Sequence, residues 1–285
     1  MDRGARATVV GLAANVGLTA LKFLVGTLAG SAALIADGFN SAGDIVASAV
    51  GWAGYTAARV PPDDNHHYGH GKFESASGLI IGGILLATGV FVAIDGVRVL
   101  LSGPRPPPET LAVWAAVATA VIKEVLCRYT WKVGSELNSP SLLASARDHR
   151  ADVVIAVAVV AAVLGAQWGW TWLDPTIAVV IGGYISILAI DPIASNLKVL
   201  MDETDPALSE EIRIAARSVE DVREAGGIRV HPVGADFFVE LEIYVDGDLP
   251  LGVAHDIAHA VGDAIEERVA HISDVRVHVN PTGMV

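Results

Sequence analysis

Cysteine and charge are both scarce in this sequence. Cys127 is the only cysteine among 285 residues, so neither a disulfide within the chain nor a thiolate metal cluster is available to it. Charged residues make up 18% of the chain and hydrophobic residues 52%, a balance more typical of membrane proteins than of soluble domains. The formal net charge is −13, and this acidity argues against nucleic acid as a partner, because nucleic-acid binding needs a basic face.

Long apolar runs follow one another along the first two thirds of the chain. Each of them can cross a hydrocarbon core, which needs about 20 helical residues. The first run is too long for the core of a signal peptide and no small-residue cleavage site follows it, so we expect it to be retained. The sequence predicts six transmembrane helices, at 8–29, 31–58, 76–101, 110–133, 142–167 and 174–198.

The distribution of lysine and arginine predicts the orientation in the membrane, because the cytoplasmic side carries more of both. Arg98 and Arg105 fall on one side of the predicted spans. A larger group falls on the other side: Arg3, Arg6, Arg59, Lys72 and Lys132. With an even number of spans, both termini are expected in the cytoplasm. We therefore expect a multi-pass protein of the inner (plasma) membrane, with lipid around its spans.

The composition becomes polar after Leu200. Hydrophobic patterning predicts helices at 209–218 and 250–269 and strands at 228–233, 237–245 and 275–279. This α-β-β-α-β order suggests a small two-layer α+β domain, so we divide the chain into 1–202 and 203–285. Such a short domain has a modest core, which favours pairing with a second copy.

Two polar pairs lie inside the second and fifth apolar runs. Asn40 and Asp44 form one pair, and Asp148 and Asp152 the other. The i, i+4 spacing places both side chains of a pair on one helix face. A carboxylate in hydrocarbon costs at least about 2.5–3.5 kcal/mol, so it needs a partner or a water-filled cavity. If the two helices face each other, four oxygen-bearing side chains surround one point, where a cation would neutralise them.

The neighbours of these pairs leave alternatives open. Asp148 lies near the end of its span, and an alternative partner for it is Arg147 or Arg150. Asp37 lies one turn before the first pair and is interpreted as a supporting group rather than a ligand. His149 lies to the side of the second pair, so we do not assign it as a ligand.

A second cluster of metal-binding residue types lies between the second and third spans. It combines carboxylates and imidazoles at a density typical of a site for zinc-like ions. The alternative is a solvated polar loop that attracts metal incidentally. The cluster consists of Asp63, Asp64, His66, His67 and His70.

Three stretches together resemble the cation diffusion facilitator family of divalent metal transporters. They are Ala36-Asp-Gly-Phe-Asn-Ser-Ala-Gly-Asp44, Asp148-His-Arg-Ala-Asp152 and Asp63-Asp-Asn-His-His-Tyr-Gly-His-Gly-Lys72. The resemblance covers nearly the whole chain. It implies six spans with cytoplasmic termini, followed by a cytoplasmic ferredoxin-like domain that binds metal and forms a homodimer.

The resemblance also implies roles for particular residues. The transport site maps onto Asn40, Asp44, Asp148 and Asp152, and a loop site onto Asp63, His66 and His70. Metal ligands of the tail domain map onto Glu242, His255 and His278, whereas two further family positions hold Gly227 and Asn280. Lys72 and Asp202 correspond to an ion pair that interlocks the loop with the segment after the sixth span.

The ligand set of the transport site departs from that of zinc-exporting members, which usually place a histidine there. All four ligands here are hard oxygen donors, which suit manganese or ferrous iron better than zinc. The chain thus resembles the manganese and iron branches of the family. We predict export of Mn²⁺ by proton antiport through alternating access, with metal as the substrate and no organic cofactor. The alternative within the family is an exporter of Zn²⁺, Fe²⁺ or Cd²⁺.

Two other classes of function share features with this sequence. An intramembrane aspartyl hydrolase also uses two membrane aspartates, but Gly43-Asp44 has no matching partner motif, so we do not expect an enzyme. A metal-responsive membrane scaffold that transports nothing has the same tail, and only a flux measurement separates it from a transporter.

Overall fold

Long helices occupy the region in which the sequence predicts membrane spans. The computed structural model describes residues 3–103, 105–137, 139–234 and 236–282. Most backbone amides of an apolar span must be satisfied within the span itself, which a helix achieves. The helices are α1 (Arg3–Ala29), α2 (Ala32–Ala58), α3 (Lys72–Leu101), α4 (Thr110–Glu136), α5 (Pro140–Gln167), α6 (Leu173–Leu188) and α7 (Ile190–Leu200).

Five helical segments of the described chain are long and apolar enough to cross a membrane: Arg6–Ala29, Lys72–Leu101, Thr110–Glu136, Leu142–Gln167 and Leu173–Leu200. Helix α2 is also 27 residues long. It carries Asp37, Asn40 and Asp44 among its apolar residues and is not one of these five segments.

The sixth predicted span is not one continuous helix. Helix α6 ends at Leu188 and α7 starts at Ile190, with Ala189 between them. Pro192 explains the break, because proline has no amide hydrogen and its ring clashes with the carbonyl four residues earlier, that of Leu188. The predicted span over 174–198 is present within Leu173–Leu200, with a one-residue interruption at Ala189 that the sequence analysis did not predict.

The chain divides into two compact units. The first contains residues 1–50 and 80–192, and the second contains 51–79 and 193–285. In the first unit, small residues let helices approach closely, as is common between membrane helices. A Cβ added to Gly89 of α3 would lie 2.7 Å from the carbonyl oxygen of Gly182 of α6, so the close contact of these backbones requires glycine.

The tail domain lies wholly in the second unit. Its elements are α8 (Pro206–Arg217), β1 (Glu224–Val233), β2 (Asp236–Val245), α9 (Leu251–Arg268) and β3 (Ile272–Pro281). The sheet has the order β1-β2-β3, with β1 and β2 antiparallel and β2 and β3 parallel. The α-β-β-α-β order and the two-layer α+β architecture are thereby confirmed.

The boundaries of the tail elements differ from prediction at their ends. Helix α8 starts at Pro206 rather than at residue 209, because the side chain of Asp205 caps it by accepting a hydrogen bond from the amide of Ala207 at 2.8 Å. Strands β1 and β3 each extend over 10 residues, longer than the predicted runs. Buried apolar side chains between helices and sheet form the core, among them Ile212, Val239, Ile243, Val261 and Ile265.

Candidate metal sites

Helices α2 and α5 face each other at the predicted transport site. The side-chain amide of Asn40 donates a hydrogen bond to Oδ1 of Asp152 at 3.0 Å. Both residues are buried, with 8% and 3% of their surface exposed. The contact brings together one member of each i, i+4 pair.

The other two predicted ligands lie one turn away on the same helices. Asp44 is half-buried and Asp148 is exposed. Over the described ranges, Asp44, Asp148 and Asp152 do not form a trio with oxygens all within 4.8 Å of one another. The structure therefore joins Asn40 and Asp152 directly, and holding one ion with all four residues requires Asp44 and Asp148 to move closer.

The alternative pairing for Asp148 with Arg150 is not observed. Arg150 instead forms an ion pair with Glu124 of α4, with Nη1 2.8 Å from Oε2. His149 is buried at 5% exposure, and its Nδ1 has no hydrogen-bond partner in the part of the chain that the structure describes. The imidazole therefore lies within the helix packing beside the acidic pair.

Two buried lysines near the site were missed in the sequence. Lys22 of α1 donates hydrogen bonds to Oδ1 of Asp37 and to Oγ of Ser41, both at 2.8 Å. Lys123 of α4 forms an ion pair with Oδ2 of Asp152 and donates to Oδ1 of Asn15 at 2.7 Å. Both lysines are 0% exposed. A lysine inside an apolar run is itself a signal of a partner, and it would have pointed to both residues.

The contact with Lys22 also explains the position of Asp37. This carboxylate is fully buried and held by an ammonium group rather than turned toward Asp152. Its interpretation as a supporting group rather than a ligand agrees with this geometry.

The loop between α2 and α3 contains a compact group of metal-binding side chains. One ligand atom from each of Asp63, His66 and His70 lies within 4.8 Å of the others. His66 Nδ1 lies 3.1 Å from Oδ1 of Asp63, and His70 Nε2 lies 3.5 Å from its Oδ2. Of the five residues in the predicted cluster, these three are brought together, while Asp64 and His67 are exposed outside the group.

Local backbone hydrogen bonds form this loop group. Oδ1 of Asp63 accepts from the amides of Asn65 and His66, at 2.8 and 2.7 Å. These backbone hydrogen bonds, followed by the His66 side chain, lower the pKa of Asp63 from its ordinary value. One ionised carboxylate and two imidazoles provide three ligands of the kind that zinc-like ions take, with a coordination position left for water or a substrate.

The predicted tail ligands do not form a compact group like that of Asp63, His66 and His70 in the loop. Glu242 and His278 are register partners on the parallel strands β2 and β3. His255 lies on α9, where its ring contacts that of His259 with centroids 4.5 Å apart. Among the described residues, Glu242, His255 and His278 do not bring three ligand atoms within 4.8 Å of one another.

Hydrogen bonds and close contacts surround Glu242 instead. Its Oε2 accepts from the hydroxyl of Tyr244 and from the amide of Asn280, both at 3.3 Å. Burial, followed by the charge of Glu242, raises the pKa of Tyr244. A Cβ added to Gly227, which has a φ of +57°, would lie 3.0 Å from the Glu242 carboxyl carbon. The two family ligand positions that hold Gly227 and Asn280 therefore border Glu242.

Lys72 and Asp202, the residues of the predicted interlock, lie within ion-pair distance, and His231 contacts the same carboxylate. Nζ of Lys72 lies 3.4 Å from Oδ1 of Asp202, and Nδ1 of His231 lies 2.8 Å from the same oxygen. The ring of Tyr68 contacts those of His231 and Phe238, with centroids 5.4 and 5.1 Å apart. The sequence did not predict the contact of His231 with Asp202, because the two residues lie on segments that are distant along the chain.

Comparisons with known proteins match both parts of the chain. The cation efflux transmembrane domain model matches residues 8–201. The model of the cytoplasmic domain of cation efflux proteins matches residues 204–282.

Individual relatives align over almost the whole chain. The manganese efflux system protein MneP of Bacillus subtilis is 32% identical, over 97% of this chain and 95% of its own length. Metal tolerance protein C1 of Arabidopsis thaliana is 31% identical, over 98% of this chain and 63% of its own length. A solved nickel form of a MamM CTD variant is 28% identical, covering 27% of this chain and 98% of that chain, with a TM-score of 0.27.

Proposed function

The chain belongs to the cation efflux family, and we propose that it exports Mn²⁺ in exchange for protons. As a member of this family it is a multi-pass membrane transporter of divalent metal cations and not an enzyme. The observation that carries the proposal is the buried contact between Asn40 and Asp152, which joins the two helices that hold the oxygen ligands.

The ligand set supports manganese as the substrate. We assign the transport site to Asn40, Asp44, Asp148 and Asp152. Carboxylate and amide oxygens are hard donors, and Mn²⁺ prefers them more than the thiolate and imidazole ligands that softer ions accept. Two relatives from Bacillus subtilis, 32% and 29% identical to this chain, are named as manganese efflux proteins, which supports the same choice.

Proton exchange follows from the chemistry of carboxylate ligands. A carboxylate must be deprotonated to hold a metal ion, so metal binding releases protons and protonation promotes metal release. Alternating access would expose the site first to the cytoplasm and then to the opposite side. Inward proton movement thus drives outward metal movement.

The remaining sites are proposed to act before and around transport. We assign metal capture to Asp63, His66 and His70, and metal sensing in the tail to Glu242, His255 and His278. The chain is proposed to work as a homodimer in the inner (plasma) membrane, with both termini in the cytoplasm. The pair of Lys72 and Asp202 holds the loop to the segment that follows α7.

A transport assay in proteoliposomes with an imposed pH gradient tests this function. We expect Mn²⁺ uptake that depends on the gradient and that falls at least about tenfold in Asp44→Asn, Asp148→Asn and Asp152→Asn, because each loses a charged ligand. Asp95→Asn is the matched control, since it removes an exposed carboxylate of α3 outside the site.

A competition series with Fe²⁺, Zn²⁺, Co²⁺ and Cd²⁺ tests the metal. Strong inhibition of Mn²⁺ transport by equimolar Zn²⁺ would contradict the choice of manganese. Normal Mn²⁺ transport by both Asp44→Asn and Asp152→Asn would contradict the site. Uptake that ignores the pH gradient would contradict proton exchange.

A further inference from the structure

Lys123 is a positive charge at a site that must bind a positive ion. It is fully buried in α4 and forms an ion pair with Asp152, one of the proposed ligands. We propose that Lys123 is a resident counter-cation of the transport site, which competes with the metal for Asp152 and so keeps metal affinity low enough for release. This inference rests on the proposed function and adds a residue that sets the affinity of that site.

The ammonium group is part of a hydrogen-bonded chain through four helices. Oδ1 of Asn15 on α1 accepts from Lys123 on α4, at 2.7 Å. Lys123 pairs with Oδ2 of Asp152 on α5, and Oδ1 of Asp152 accepts from Asn40 on α2 at 3.0 Å. Both carboxylate oxygens of Asp152 are therefore engaged by protein groups.

In this arrangement, metal binding competes with the contact between Lys123 and Asp152. A divalent ion that takes Oδ2 as a ligand places two cations on one oxygen, where they repel each other strongly in a poorly solvated site. The ion must displace the ammonium or bind more weakly beside it. Asn15 makes displacement feasible, because an ammonium that leaves Asp152 keeps a hydrogen bond to the Asn15 oxygen.

The charge balance of the site supports the same role. When ionised, the three carboxylates of Asp44, Asp148 and Asp152 together with one ammonium carry a net charge of two negative units, which a single divalent ion neutralises. The nearby Lys22 and Asp37 form a separate neutral pair. Net charge in a membrane interior is costly, so a neutral loaded site can change its exposure more easily than a charged one. Lys123 thereby matches the site to a divalent ion.

Two variants with opposite expected effects test the proposal in the full chain, reconstituted in proteoliposomes. Lys123→Met removes the competitor, so we expect the KM for Mn²⁺ to fall about tenfold and the turnover number to fall as well, because release slows. Tenfold corresponds to about 1.4 kcal/mol, a modest part of the repulsion between charges a few ångströms apart. Asn15→Ala removes the second acceptor, so the ammonium stays on Asp152 and the KM for Mn²⁺ should rise.

The KM for Mn²⁺ is expected to change in opposite directions in the two variants, which distinguishes this role of Lys123 from damage to the fold. A structural lysine would raise the KM or leave it unchanged when replaced, and either result for a monodisperse Lys123→Met protein overturns the proposal. If Lys123→Met does not fold, Asn15→Ala decides, and an unchanged or lower KM overturns it. Lys123→Arg keeps the positive charge and should return the KM toward that of the wild type.

The same assay distinguishes failure of this inference from failure of the proposed function. If the wild-type chain moves no divalent ion, or if Asp152→Asn transports normally, the proposed transport function or its site is wrong. If the wild type transports Mn²⁺ and Asp152→Asn does not, an unaltered KM in Lys123→Met refutes only the role of the lysine.

Discussion

The amide nitrogen of Asn40 lies 3.0 Å from Oδ1 of Asp152 and donates a hydrogen bond to it. An aspartate at position 40 could not donate this bond while ionised, whereas an asparagine does so without adding charge. Asn40 therefore links α2 to α5 by a hydrogen bond without adding a charge to the proposed ligand set.

Asn40→Asp tests this relationship. The substitution removes the donor and places a second carboxylate against Asp152, so in EDTA we expect the free energy of unfolding to fall by about 1–3 kcal/mol. Mn²⁺ should stabilise this variant more than the wild type, because the ion binds the added carboxylate in the folded state. The measurement is thermal unfolding in detergent with EDTA and with Mn²⁺.

Asn40→Ala is the matched control for that experiment. It loses the same hydrogen bond but gains no charge, so Mn²⁺ should not restore its stability. Equal responses of the Asp and Ala variants to Mn²⁺ would show that position 40 does not contact the metal.

Local sequence spacing is what made part of the site predictable. The i, i+4 pairs in α2 and α5 share helix faces because the helical repeat fixes them, and polar residues in apolar runs identify which faces turn inward. Asp63, His66 and His70 are also close in sequence, so one loop turn is enough to gather them.

Contacts between distant segments were not predictable in the same way. The pairing of Lys123 with Asp152 depends on which helices are neighbours, and apolar spans all have similar surfaces. The same applies to His231 and Asp202, which lie on different elements. Pro192 could have predicted the interruption between α6 and α7, because proline disturbs the preceding helical turn. The length of the apolar run favoured one uninterrupted helix instead.

The hydrogen bonds to Asp63 predict how the loop responds to acid. Because the backbone amides of Asn65 and His66 lower the pKa of Asp63, its ionised form stabilises the folded loop. A lowered native pKa means that this contribution is present above the unfolded value, about 3.9, and is lost as the pH falls through the native pKa. In EDTA, hydrogen-exchange protection of the two amides should persist at pH 5 and disappear only at more acidic pH.

Asp63→Ala provides the comparison for the loop measurement. Without a carboxylate acceptor, the amides of Asn65 and His66 should be unprotected at every pH. Protection that is lost in the wild type above pH 5 would contradict the assignment, because it would place the titrating group elsewhere.

The interlock should contribute little to stability by itself. Lys72 and Asp202 are 37% and 44% exposed and 3.4 Å apart, and exposed ion pairs contribute about 0.2–1 kcal/mol. A double-mutant cycle of Lys72→Met and Asp202→Asn, read from the free energy of unfolding, should give a coupling in that range that decreases with salt. Asn tolerates the positive φ of +57° at position 202, so the substitution changes charge without adding backbone strain.

The contact between His231 and Asp202 provides an internal comparison. At 2.8 Å it is the shorter of the two, so the cycle of His231→Ala and Asp202→Asn should give a coupling at least as large as that with Lys72. A coupling above about 2 kcal/mol for Lys72 and none for His231 would contradict this reading of the geometry.

Asp174 fixes the start of the helix that carries Asn40 and Asp44. Its Oδ1 accepts from the hydroxyl of Ser31 at 2.6 Å and its Oδ2 from the amide of Ala32 at 2.7 Å, and Ser31 Oγ accepts from the amide of Leu34 at 3.1 Å. The first amides of a helix have no partner within it, and here a buried carboxylate from α6 supplies one.

Asp174→Ala should therefore destabilise the protein and impair transport together. Loss of the cap and of a buried acceptor is expected to cost about 3 kcal/mol in the free energy of unfolding, measured in detergent. Asp174→Asn keeps one acceptor oxygen and should lose less, and Asp95→Ala, an exposed carboxylate of α3, should lose almost nothing. If Asp174→Ala matched the wild type in stability, the start of α2 would have to be held by its packing alone.

Since α2 carries half of the proposed ligands, a shift at its start moves them relative to Asp152, so turnover should fall even where the variant remains folded.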